Sequence, residues 1–345
     1  MPYGRNSAPL LSLVVPHHAM LVQLPRLLDS LLAQNPQATE VIVVDDASPE
    51  PCRAVIEAYR NKGLNLRLLE HQSNLGPLRA RLAGIKAAAG QALTFADADD
   101  FFLPGASLEE HAASLLDLDA DILHCNTIRR DPVSGREYCD LWSRPLAPLL
   151  SGGYILQSFL QQRRGTTLFA KIFRRAYWAE FIDCIPLDKA YARVDNLAIT
   201  FFALAFAKKY TGRDSALYYY RSTPPEVEIK RAAQQIADFV FFAQAARAEL
   251  LKHDFSAGTL DQMEEAFLFW TGYCLDLVCA HLDTSDQKAA FELFGDLDLD
   301  ELLPCLDRLK KCGDRALAAQ AERLELFFKA MRHATAPSDK GERHD

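Results

Sequence analysis

Leu93-Thr94-Phe95-Ala96-Asp97-Ala98-Asp99-Asp100 is a strand-like apolar run that ends in three carboxylates within four positions. Side chains alternate along a strand, so Asp97 and Asp99 are expected on one face. In an open α/β sheet the carboxyl ends of the strands are where ligands bind, and carboxylates crowded there repel one another until a cation joins them. Hard oxygen donors suit Mg²⁺ or Mn²⁺, with a phosphate completing the shell. Taken alone, the same residues also read as a solvated acidic turn ahead of the Pro104-Gly105 break. The flanking segments decide between the two.

Upstream, Leu11-Ser12-Leu13-Val14-Val15-Pro16 and Glu40-Val41-Ile42-Val43-Val44-Asp45-Asp46-Ala47-Ser48 are further β-branched runs that stop at polar or turn-forming residues. Between them, Leu21 to Ala33 carries leucines at 24, 27, 28, 31 and 32, the spacing of a helix with one apolar face. A third run, Leu66-Arg67-Leu68-Leu69, passes through Asn74-Leu75-Gly76-Pro77 into a helix over about Leu78 to Ala89. Strands alternating with helices predict a parallel sheet with crossover connections. Three of the strand ends carry functional-looking groups: Pro16-His17-His18, Asp45-Asp46 and Asp97-Ala98-Asp99-Asp100.

Read in order, Val14-Val15-Pro16, Val44-Asp45-Asp46-Ala47-Ser48, Asn74-Leu75-Gly76, Ala80-Arg81 ahead of Gly84-Ile85, Ala88-Ala89-Gly90 and Asp97-Ala98-Asp99-Asp100 form one ordered set. Phe169-Ala170-Lys171-Ile172-Phe173-Arg174-Arg175, Asp195 and Leu217-Tyr218-Tyr219-Tyr220-Arg221 extend it. From about Leu11 to Arg221 the chain resembles the inverting family-2 nucleotide-diphospho-sugar glycosyltransferases of GT-A fold. It departs from their pattern at His18 and Ala19 (an aromatic residue and Asn), at Leu82 (Asn after Arg) and at Val194 (Glu before Asp). The resemblance implies a Rossmann-like mixed sheet flanked by helices. It further implies transfer of a sugar from a UDP-sugar to a glycan or lipid-linked glycan acceptor, in building a surface or capsular polysaccharide, with Mn²⁺ or Mg²⁺ as cofactor.

On that resemblance each candidate takes a role. The cation neutralises the two phosphates of the donor on binding and as the leaving group departs. Asp99 is the first candidate ligand, and Asp97 either bonds the ribose or shares the metal; Asp100 supports the cluster or opens a helix. Pro16 and His18 line the base pocket. Asp46 accepts a hydrogen bond from the uracil ring, its alternative being a cap for the helix after Pro49. Arg81 reaches the nucleotide or its phosphates through its fork, against the alternative of a solvated helix face. Inversion needs a base to take the acceptor hydroxyl proton, and Asp195 is the candidate, with burial expected to raise its pKa; its alternative is the N-cap of the apolar helix Asn196 to Ala207. Lys171 is expected to orient this region, and His17, on the opposite side of the strand from His18, has no role assigned.

Composition permits this reading. The 345 residues, 49% of them hydrophobic, can bury a large core, and the net charge of −8 argues against a nucleic-acid partner. Cysteines at 52, 125, 139, 184, 274, 279, 305 and 312 form no Cys-x-x-Cys pair, which suits a reducing cytoplasm. Met1-Pro2-Tyr3-Gly4-Arg5-Asn6 lacks a signal-peptide core, and the longest apolar run, Leu197 to Ala207, is too short to span a bilayer. The expectation is a cytoplasmic protein, soluble or attached at most to the inner face of the membrane.

Residues 1–222 are expected to form the GT-A domain, with a loose arm over Met1 to Ala8 and an irregular excursion over Asn126 to Ser151. Thr223-Pro224-Pro225-Glu226 punctuates the chain, and a helical region over residues 223–334 follows. Its segments are about Val227 to Lys252, Leu260 to His281, Gln287 to Phe294, Leu299 to Leu309 and Asp314 to Arg332. Phe239, Phe241, Phe242, Phe267, Phe269 and Trp270 read as core or interface, so these helices pack on the catalytic domain or form a homodimer. Thr335 to Asp345 is expected to be a disordered tail. Two other classes compete. A binding protein that lost turnover is motivated by Ala19, Leu82 and Val194, whereas a nucleotidyltransferase calls for a glycine-rich loop near the first strand, which Pro16-His17-His18-Ala19 does not offer.

Overall fold

The structure, a computed structural model, describes residues 8–34, 36–131, 134–187, 194–285 and 287–335. Its first part alternates as the sequence predicts: β1 (Leu11–His17), α1 (Leu24–Leu32), β2 (Thr39–Asp45), α2 (Arg53–Asn61), β3 (Leu66–Glu70), α3 (Pro77–Ala87) and β4 (Ala92–Phe95). Pairing is parallel, β1 lying between β2 and β4 with β3 beyond β2. Both faces of β1 and β2 are covered, which is why their sequences are continuous Val/Ile/Leu runs rather than alternating ones. Leu24, Leu27, Leu28 and Leu31 form the buried stripe of α1, and Pro25 sits in its first turn, where a missing N–H costs nothing.

The chain then reverses sense. β5 (Phe101–Phe102), α4 (Leu108–Asp117), β6 (Ile122–Arg130), β7 (Glu137–Cys139), β8 (Leu149–Ser151), α5 (Gly153–Gln162), β9 (Lys171–Arg174), α6 (Asp195–Phe206) and β10 (Lys209–Tyr220) complete a mixed sheet of order β3-β2-β1-β4-β9-β6-β10-β5. β9 runs antiparallel between β4 and β6. Phe95 of β4, Phe173 of β9 and Trp178 lock that junction, with ring centroids 5.3–5.9 Å apart. Asn126 to Ser151 is therefore not an irregular excursion in its described residues: it holds the second half of β6, then β7, a 3₁₀ turn at Leu141–Ser143 and β8.

Helix α3 is seated closely on β1. A Cβ at Gly84 would lie 2.3 Å from Val14 Cγ1, so only glycine permits this approach. At its start, Gly76 takes φ +86° and Pro77 occupies the first turn.

After Thr223 the described chain is helical: α7 (Pro225–Leu251), α8 (Ala257–Thr284), α9 (Gln287–Phe294), α10 (Leu299–Leu309) and α11 (Arg315–Thr335). Two compact units result. One comprises the described residues up to Thr223 together with Ala245–Ala266, and the other Pro224–Gln244 with the described residues from Phe267 on. Inside the first, Phe206 of α6 meets His253 and Phe255 at 5.1 and 5.9 Å between ring centroids. The core of the second contains Phe239, Phe242, Phe267 and Trp270, with Phe294 against Phe327 and Phe328. Among the described residues no helix is long and apolar enough to cross a membrane. The expected arm and tail, apart from Ala8 and Thr335, lie outside the described residues.

Candidate active site

The end of β2 builds the first part of the site. Asp46 directs its carboxylate at the turn before α3: Oδ1 accepts from the Leu75 N–H at 2.9 Å and Oδ2 from the Gly76 N–H at 2.8 Å. His71 Nδ1 lies 2.7 Å from Oδ1. Asp46 does not cap α2, whose N-cap residue is Cys52. His18 Nδ1 donates to the Asp46 carbonyl at 2.9 Å, which leaves Nε2 as acceptor toward Asn74 Nδ2 at 3.3 Å. Pro16, half-buried, stands opposite Val44 in the β1–β2 register. Ala19 and Ala47, one after each strand end, both hold left-handed backbone (φ +54° and +56°), and an Ala19 N–H bond to Ser48 Oγ at 3.0 Å ties the two loops together. Such conformations cost alanine about 1–2 kcal/mol each and persist where surroundings impose them.

Beyond β4 the chain turns, the Asp100 N–H donating to the Asp97 carbonyl at 3.1 Å, and the turn leaves Asp97 and Asp99 half-buried while Ala98 and Asp100 are buried. Asp100 accepts from the Tyr218 hydroxyl and the Arg221 N–H, both at 2.8 Å, and Tyr218 in turn accepts from the Asp97 N–H at 2.9 Å. Asp100 thus supports the cluster and opens no helix. Burial, then the charges of Asp97 and Asp99, push its carboxyl well above the usual range.

Arg81 projects from α3 into this cluster and is 3% exposed, which removes the reading of a solvated helix face. One terminal nitrogen bonds Asp97 at 2.5 Å and the other bonds Asp195. The fork expected on the nucleotide is therefore held by two protein carboxylates. Asp195 is the first residue of α6 rather than its cap, which is Val194, and it is 7% exposed. Burial raises its pKa, opposed by Arg81 and reinforced by Asp97. Lys171 is buried on β9, donates to the Thr167 carbonyl and has its pKa lowered well below the ordinary value by burial alone. Its ammonium group makes no described bond to Asp195.

The structure thus brings Arg81, Asp97 and Asp195 together at the end of β4, with Asp99 in the turn beside Asp100 and with Pro16, His18 and Asp46 at the neighbouring ends of β1 and β2. Tyr218 and His71 complete the hydrogen bonding and were not singled out from the sequence. Tyr218 lies in Leu217-Tyr218-Tyr219-Tyr220-Arg221, where nothing local marks which of the three tyrosines meets Asp97 and Asp100. The half-buried carboxylates of Asp97 and Asp99 supply oxygen donors in a region of accumulated negative charge, which fits a Mg²⁺ or Mn²⁺ ion.

Residues 12–177 match the family model for glycosyl transferase family 2. Over 260 residues, 74% of this chain, the sequence is 27% identical to poly(ribitol-phosphate) beta-N-acetylglucosaminyltransferase TarS of Staphylococcus aureus (strain Mu50 / ATCC 700699), and that match spans 43% of the relative's length. The crystal structure of S. aureus TarS 1–349 in complex with UDP-GlcNAc superposes with a TM-score of 0.59 at 21% identity, over 94% of this chain and 92% of that one. The mannosyltransferase PcManGT from Pyrobaculum calidifontis, in complex with GDP-Man and Mn²⁺, superposes with a TM-score of 0.53 at 15% identity, over 94% and 89%. At these identities the structural likenesses establish the fold, and the family model assigns the domain it spans. Residues 12–177 thus form a glycosyl transferase family 2 domain, and the chain carries the GT-A fold it shares with TarS.

Proposed function

We propose that the protein transfers a sugar from a UDP-sugar to a hydroxyl of a glycan or lipid-linked glycan, with inversion, in the synthesis of a surface polysaccharide on the cytoplasmic side of the membrane. The observation that carries this reading is the buried Asp97–Arg81–Asp195 bridge, which joins the carboxylate cluster of a donor site to a carboxylate whose pKa is raised. TarS, with UDP-GlcNAc in its structure, makes a UDP-sugar the donor to test first.

Asp46 uses three of about four acceptor positions on protein donors, so one remains for a uracil N–H. His18 and Pro16 wall the base. Asp99 and Asp97 would hold the divalent ion, which neutralises the diphosphate and stabilises it as leaving group. Asp195 takes the acceptor proton; burial makes it a stronger base than an exposed carboxylate, and Arg81 orients it and keeps it ionised. Because Arg81 also holds Asp97, it sets the distance between donor and acceptor sides.

Calorimetry with UDP, and UDP release from UDP-GlcNAc, other UDP-sugars and GDP-mannose with and without Mn²⁺, test the proposal. UDP is expected to bind much more tightly with Mn²⁺, and Asp99→Asn to remove most of that difference. Asp195→Asn is expected to keep UDP affinity while lowering transfer by roughly a hundredfold or more. Tight UDP binding with no turnover of any donor would identify a nucleotide-sugar-binding protein instead.

A further inference from the structure

Away from the Asp97–Asp195 cluster, the ends of β1 and β2 and the start of α2 bring a second set of donors together. His17 and Asp45 are register partners in the β1–β2 pair, and Cys52 caps α2. The imidazole, carboxylate and thiol each place a donor atom within 4.8 Å of the other two. All three are shut from solvent, at 1%, 4% and 0% exposure. The Ser48 N–H steadies the Asp45 carboxylate at 3.0 Å. An independent observation comes from His17, whose Nδ1 and Nε2 are both buried without a hydrogen-bond partner. A neutral imidazole has one donor and one acceptor to satisfy, so leaving both unused is costly. His18, turned the other way to Asp46 and Asn74, shows that the adjacent ring is fully engaged.

We propose that His17, Asp45 and Cys52 bind a Zn²⁺-class transition-metal ion, at a site distinct from the oxygen donors of Asp97 and Asp99. A thiolate with an imidazole selects Zn²⁺ over Mg²⁺ or Mn²⁺, and the carboxylate supplies the third bond of a tetrahedron whose fourth position takes a water or a further ligand. Bonds of about 2.0–2.3 Å set donors about 3.5 Å apart, so the cluster closes onto an ion through side-chain movements of about an ångström. Burial and the adjacent Asp45 carboxylate push the Cys52 thiol pKa up to about 12, so an ion binds here by displacing the thiol proton. The bound ion ties α2 to β1 and β2 and fixes the loop that carries Asp46 and Ala47, a structural task that does not depend on sugar transfer.

Co²⁺ titration of the chelator-treated full chain under reducing conditions tests this. One Co²⁺ per chain is expected to give the near-ultraviolet charge-transfer band of a Co²⁺–thiolate bond, erased by Zn²⁺. Cys52→Ser should abolish the band, and His17→Gln should weaken Co²⁺ binding at least about tenfold. Cys184→Ser, a control at the other Cys–His contact (Cys184 Sγ to His253 Nε2, 3.3 Å), should leave it. An oxygen-only site cannot produce this band, so the result is separate from the glycosyltransferase proposal. Absence of the band in the wild type, or its survival in Cys52→Ser, overturns the site. Should Cys52→Ser fail to fold, the decision passes to Tm: Zn²⁺ should raise that of the wild type and not that of His17→Gln, and an equal rise in both overturns the site.

Discussion

Arg81 is buried beside Asp97 and Asp195, and each charge is tolerated because the others compensate it. Arg81→Met should therefore lower the free energy of unfolding by about 3–5 kcal/mol, because it strands two carboxylates. In an Asp195→Asn background the same change should cost less, since one stranded charge is already gone. Urea unfolding of the four proteins in this cycle measures the coupling. His124 offers a pH test elsewhere on the sheet. Its Nε2–H donates to the Ser143 carbonyl at 2.9 Å and its Nδ1 accepts from the Tyr210 hydroxyl at 2.8 Å. Burial, reinforced by Lys171, holds its pKa well below the ordinary 6.5. Below about pH 6.5 the unfolded chain binds a proton here that the native state refuses, so stability falls as the pH drops, by at most about 1.4 kcal/mol per pH unit. His124→Gln, which can keep one donor and one acceptor, should flatten that slope in urea midpoints measured between about pH 5 and 8.

At the scale of elements, the site depends on how closely α3 lies on β1, because α3 carries Arg81. Gly84 is the contact point, and a methyl group there meets Val14 at a separation no real Cβ keeps. Gly84→Ala should cost about 1–3 kcal/mol by overpacking and lower transfer activity more than UDP affinity, since the displaced helix moves Arg81 from Asp195. Thermal unfolding and a split of kcat from KM check this. The elements also differ in how they announce themselves. β1, β2, β3 and β4 are apolar runs bounded by turn residues, readable in isolation. β10 is not: Arg213, Asp214 and Ser215 are exposed in its middle, and its register against β6 shifts between Gly212 and Ala216. A bulged strand with a polar centre has no period to read.

For the whole molecule, the helices after Thr223 do not form a freely removable block, because Ala245–Ala266 belongs to the same compact unit as the sheet. Removing residues 224–345 should expose Phe206, which meets His253 and Phe255, and should produce aggregation or a lowered Tm in light scattering and calorimetry. The alternation of β-branched runs with amphipathic segments, the carboxylates at Asp97 and Asp99 and the helical character after Pro225 were all determined by sequence alone, since each is a local pattern of a few residues. Tertiary structure decided what those residues do to one another. Asp195 is 114 positions from Arg81, and no local period tells that the two meet in a buried ion pair. Likewise, His17 and Cys52 look unremarkable until parallel pairing sets His17 beside Asp45 and α2 brings Cys52 to both. The physical reason is range: periodicity reports which side of an element is apolar, whereas charge pairing and donor clusters arise only when elements distant in sequence are packed together.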